Sequence, residues 1–135
     1  MPQKEDRSGS RKVDKLMGTG ASLTARMLPN NVFEISMEIN SPPELALEMA
    51  FSILSREGKI TEDRRSDPKE PAVCAAVGSG IWNLNPALVE VKAIPVSEDT
   101  TRVLITGTAK EGLIKQHAGE KAARRIADLL AHALV

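Results

Sequence analysis

The sequence predicts an α+β domain. It reads as a two-layer sandwich in which an antiparallel sheet of four to five strands carries a long C-terminal helix packed across it. Three observations predict this. Residues 32–39, 88–94 and 101–109 alternate apolar and polar side chains, the period-2 signature of half-buried strands. From Ile114 the apolar residues Ile114, Ala118, Ala122, Ile126, Leu129, Leu130 and Ala133 recur at helical spacing, with Lys115, Lys121 and Arg124 mostly on other faces. Between these elements, strand follows strand at hairpin spacing, which favours an antiparallel sheet with its helices on one side.

Residues 1–30 are rich in Gly, Ser, Lys, Arg and Asp without a sustained period, so they are expected to form a largely disordered tail. Leu23, Met27 and Leu28 stand at near-helical spacing within it. A single domain is expected over residues 31–135. In its first strand Phe33, Ile35, Met37 and Ile39 face the core, opposite Glu34, Ser36 and Glu38. Asn40-Ser41-Pro42-Pro43-Glu44 reads as a helix start, with Ser41 as N-cap, Pro42 at N1 and Glu44 completing a capping box. The helix runs to about Glu57 on Leu47, Ala50, Phe51 and Leu54, and Gly58 fits the left-handed position that ends it.

Lys59 to Arg64 is expected as an edge strand, and residues 63–71 as a charged loop with two prolines. Ala72 to Val77 is an apolar run suited to a strand buried on nearly both faces. Gly78-Ser79-Gly80 breaks it, and residues 81–86 read equally as loop or short strand. Leu88 to Ile94 and Thr101 to Ala109 form a hairpin around Ser97-Glu98-Asp99-Thr100, and Gly107 suggests a bulge beneath the last helix. The order is β-α-β-β-β(-β)-α. Gly119 interrupts the final helical pattern at a cost of about 1 kcal/mol.

Composition narrows the function classes. Only Phe33, Phe51 and Trp82 are aromatic, 2% of the chain, which argues against base-stacking platforms for nucleic acid. Net charge is zero, though residues 1–30 carry six basic against three acidic side chains. No apolar run approaches the roughly 18–20 residues of a membrane span. With no signal-like start, the chain as written is expected to be cytoplasmic, unless a leader or anchor has been removed.

The candidate chemistry is sparse. One cysteine, Cys74, lies in an apolar run and is expected as a core residue rather than a nucleophile. His117 and His132 are about 22 Å apart along one helix and cannot share a metal. Gly78-Ser79-Gly80 lacks the Lys and Ser/Thr of a phosphate loop. No catalytic residue, metal site or cofactor is therefore expected. Trp82, in a glycine-flanked segment, is the side chain best suited to a ligand or partner surface. Ile81 and Leu84 beside it, with Ile126 and Leu130 on the last helix, complete that candidate surface.

The strand followed by Ser41-Pro42-Pro43-Glu44, then Thr100-Thr101-Arg102-Val103 opening the strand before a long final helix, resembles a helix-grip arrangement. In the START/Bet v 1-like superfamily a first strand is likewise followed by such a helix start, and the chain likewise closes on a long helix. The shorter modules similar to the outer-membrane assembly lipoprotein BamC have the same outline. The likeness covers about residues 31–134. Neither family carries a catalytic residue over to this chain. The expectation is a non-enzymatic domain that binds a partner protein or self-associates; the alternative is a binder of a small apolar ligand between the sheet and the last helix.

Overall fold

The computed structural model describes residues 10–13, 22–29, 32–78, 87–109 and 118–134. In chain order the elements are β1 (Ser10–Val13), β2 (Ser22–Leu28), β3 (Val32–Ile39), α1 (Pro43–Glu57), β4 (Gly58–Arg64), β5 (Ala72–Val77), β6 (Ala87–Pro95), β7 (Thr101–Ala109) and α2 (Ala118–Leu134). The strands form one antiparallel sheet in the order β1-β2-β3-β7-β6-β5-β4. Helix α1 packs on β4, β5 and β6, and α2 packs on β7, β3 and β6. The expected α+β sandwich and C-terminal helix are present.

Period-2 patterning sets the inner layer. Ala25, Ile35, Ile105, Val91 and Val73 stand in register across five neighbouring strands, and all are buried. Leu23, Met37, Val103 and Ala93 form a second such row. One-residue offsets from these rows put Glu34, Ser36, Glu38, Arg102, Glu90 and Lys92 on the opposite face, where an antiparallel sheet can meet water. Cross-strand ion pairs occupy that face, with Arg26–Glu34 at 2.9 Å and Arg102–Glu38 at 3.0 Å.

Within the tail expected over residues 1–30, Ser10–Val13 and Ser22–Leu28 are strands β1 and β2, which add two strands beside β3, while residues 1–9 and 14–21 lie outside the described residues. The near-helical spacing of Leu23, Met27 and Leu28 misleads. Leu23 and Ala25 are the pair that matters, because they alternate with exposed Thr24 and Arg26 and pair with Met37 and Ile35.

Helix α1 runs over the expected residues, but its start is built differently. Pro42 stands at the N-cap and no side chain caps the first amides. Two successive prolines leave fewer free N–H groups to satisfy there. Ser41 is buried, and its carbonyl accepts a hydrogen bond from Thr101 Oγ1 at 2.6 Å, tying the helix start to the first residue of β7. Gly58 opens β4 in an extended conformation, φ −166°, and not in the expected left-handed one. Its glycine is needed for close approach, since a Cβ would lie 2.1 Å from the Ala76 carbonyl oxygen.

The buried face of α2 comprises Ala118, Gly119, Ala122, Ala123, Ile126, Ala127, Leu130 and Ala131. Leu129 is half-buried and Ala133 exposed, so the stripe is turned toward its small residues relative to the sequence reading. Gly107 carries no bulge: pairing with β3 and β6 runs through it, and the irregularity falls on β4 between Ile60 and Glu62. Instead Gly107 and Gly119 meet. A Cβ on Gly107 would lie 2.1 Å from the Gly119 carbonyl oxygen, and one on Gly119 would lie 2.6 Å from the Gly107 carbonyl oxygen. Helix backbone rests on strand backbone, an approach only glycine permits.

Candidate functional site

Three segments remote in sequence converge at one end of the sheet. The Thr101–Ser41 bond holds the start of α1 beside the start of β7, and the end of β6 lies there because Pro95 pairs with Thr101. The loop from Arg65 to Pro71 closes the third side. Between them lies a cleft of about 950 Å³, lined by α1 residues such as Leu47 and Glu48, by the loop, and by Lys92, Ile94, Pro95 and Leu104. That volume falls within the range of roughly 300–1,000 Å³ usual for ligand sites.

Arg65 organises the wall. Its Nε and Nη2 donate to the two carboxylate oxygens of Asp63 at 2.9 and 2.8 Å, and Nη1 donates to Glu48 Oε2 at 3.2 Å. The guanidinium lies 3.8 Å over the Phe51 ring. This fork-to-carboxylate geometry, with the Arg65 backbone N–H also donating to Asp63 at 3.1 Å, holds the Asp63 carboxyl down at about 2. Asp67 folds the loop by accepting from the backbone amides of Lys69 and Glu70 at 2.8 and 3.1 Å. Those two bonds, that to Glu70 first, lower its pKa.

On the outer face beside the cleft, Arg64 spans β4 to β6. Nη2 donates to Glu90 Oε2 at 2.8 Å and Nη1 to the Glu70 carbonyl at 3.2 Å. Its buried Nε lies 3.1 Å from Glu62 Oε2 without an aligned hydrogen bond. Cys74 sits among these groups, its Sγ 3.8 Å from Glu90 and 3.9 Å from Glu62, half-buried on the outer face and not in the core. Burial first, then the Glu90 charge, pushes its thiol pKa up against the opposing pull of Arg64. A protonated thiol beside two carboxylates is a poor nucleophile.

Of the residues read from sequence as a ligand or partner surface, Trp82, Ile81 and Leu84 lie outside the described residues. Ile126 and Leu130 are brought together, but in the core: each is 0% exposed. Both lie on the face of α2 that rests on the sheet, where the helical stripe read from the sequence put them, and neither presents exposed surface to a partner. Sequence reasoning missed Arg65, Asp63, Lys92 and Ile94. The available signals were the two prolines and mixed charges of residues 63–71, and the outward phase of Ile94 in its strand. Among the described residues, no three His, Cys, Asp or Glu side chains gather as metal ligands would, and no helix is long and apolar enough to cross a membrane.

By fold the chain is a two-layer α+β sandwich with one open sheet face. No family model and no curated protein matches it. Among solved structures, the crystal structure of protein Ms6760 from Mycobacterium smegmatis is similar over 91% of this chain, at 13% identity and a TM-score of 0.32; this chain spans 64% of that protein's length.

Proposed function

We propose that the chain is a non-enzymatic protein-interaction module whose recognition surface is the cleft at the start of α1. One observation carries the reading: the cleft's strongest charges are already engaged by the protein itself, while apolar side chains at the same end are left in water. Arg65 is engaged by Asp63 and Glu48, and Asp67 by two backbone amides. Exposed Glu44 and Glu70 balance Lys69 and Lys92 around the rim. Leu45, Ile94 and Val96, by contrast, are 45%, 40% and 49% exposed. Isolated exposed apolar residues are ordinary, but Ile94 lines the cleft itself and Leu45 and Val96 directly follow its lining residues Glu44 and Pro95, an arrangement that resembles the apolar centre and polar rim of a recognition surface.

The sheet order supports the helix-grip likeness as well, since the strand before α1 lies beside the strand before α2. A small apolar ligand beneath α2 fits less well, because it would have to part the Gly107–Gly119 backbone contact and displace Ile126 and Leu130.

The test is binding of a fluorescein-labelled, uncharged aliphatic octapeptide, followed by anisotropy. Ile94→Asp should weaken binding at least tenfold with an unchanged melting curve. Equal binding by both proteins, or none by either, would remove the cleft from the account.

A further inference from the structure

We infer that the cleft's partner is a basic, apolar peptide segment of another protein, its lysine or arginine side chains set among aliphatic ones. The inference rests on the interaction reading above and names the partner's chemistry. Charge gives the first argument. Five carboxylates line the cleft, those of Glu44, Glu48, Asp63, Asp67 and Glu70, against three cations. Lys69 and Lys92 match Glu44 and Glu70 in number. Arg65 holds both Glu48 and Asp63, so that trio keeps one negative charge, and the bonds to Asp67 come from uncharged backbone amides. Low-dielectric walls concentrate the field of such an excess, which favours a cationic occupant over an anionic one.

Hydrogen-bonding capacity gives a second argument, independent of net charge. In the loop wall, residues 65–71, Pro68 and Pro71 have no N–H to offer. The amides of Arg65, Lys69 and Glu70 already donate to Asp63 and Asp67, and that of Asp67 donates to the Arg64 carbonyl. Ser66 alone in the loop keeps an amide to give. The Arg65 side chain is spent in the same way, on Asp63 and Glu48. The wall therefore keeps acceptors and has used most of its donors. Lysine and arginine side chains only donate, so they suit such a wall, whereas a carboxylate would find few donors there beyond Lys69 and Lys92. Ile94, 40% exposed, lines the cleft with Leu47 and Leu104 and supplies the apolar contact. Aliphatic stems of basic side chains can lie along it while their charged heads reach the carboxylates.

The test is anisotropy of the full chain with three fluorescein-labelled octapeptides: the uncharged aliphatic one, one with three of its residues changed to lysine, and one with the same three changed to glutamate. Wild type should bind the lysine peptide about fivefold more tightly than the neutral one, the scale of two exposed ion pairs, and the glutamate peptide more weakly than either. The lysine preference should shrink as salt rises. The double variant Glu44→Gln, Glu70→Gln changes two exposed side chains; it should lose most of that preference and leave the affinity for the neutral peptide unchanged. Equimolar spermidine, a cation without aliphatic side chains, should not displace the lysine peptide. A lysine peptide that binds no better than the neutral one, a preference untouched by the double variant, or displacement by spermidine would overturn the inference; continued binding of the neutral peptide would leave the interaction reading standing. Binding of none of the three peptides would end both.

Discussion

Replacing Gly119 by Ala sets two effects of opposite sign against each other. Helix propensity alone favours Ala by about 1 kcal/mol, and by less near a helix start. Packing opposes it: the new Cβ would stand 2.6 Å from the Gly107 carbonyl oxygen, 2.9 Å from its carbon and 3.1 Å from the Ala109 nitrogen. All three are backbone atoms of a central strand, so they cannot swing aside as a side-chain tip would. Either α2 lifts off the sheet, loosening Ala118, Ala122 and Ala123, or the strand distorts. Overpacking of this kind costs about 1–3 kcal/mol, so the net expectation is a loss of about 1–2 kcal/mol. Urea unfolding should show a lower midpoint at unchanged slope. A higher midpoint would mean that space exists between helix and sheet, and would reopen the apolar-ligand reading.

Three further outcomes follow from the same contacts. Thr101→Val leaves the buried Ser41 carbonyl without its partner and should cost about 1–3 kcal/mol in the same assay; no change would show that water or another donor takes over. Asp63 is held at about 2, below the ordinary carboxylate value, by Arg65. Its ionised form therefore stabilises the fold above about pH 4 and loses that effect as pH falls through about 2. Wild type should thus weaken more steeply than Asp63→Asn over that window, and parallel profiles would contradict the bidentate contact. Cys74, with its thiol pKa raised by burial and Glu90, should react with iodoacetamide more slowly than glutathione at pH 8, and labelling at the free-thiol rate would place it elsewhere.

The strands and first helix of residues 32–109 were legible because one physical demand, an apolar inner face, writes itself as a period of two or near 3.6. β2 was not, because Ala25 is a weak apolar signal and Leu23, Met27 and Leu28 imitate a helix. The last helix was legible in existence but misoriented: five of its buried positions, Ala118, Ala122, Ala123, Ala127 and Ala131, are alanines like exposed Ala133. Gly119 looked like an interruption, and its reason, Gly107, lies on another element. Ser41 carried the letters of a cap, yet the neighbouring prolines and a partner sixty residues away gave it a different task. The cleft was hidden for the same reason. Arg65 reads as one charge in a charged run until Asp63, Glu48 and Phe51 are seen around it.

Amide chemical-shift mapping of the full chain against the uncharged octapeptide tests the location of the recognition surface most directly. Perturbed amides should cluster at residues 44–48, 66–71 and 92–96, with Ile126 and Leu130 unmoved. Shifts centred on Ala122 to Leu130 and the facing strands would contradict it and move the binding site beneath α2.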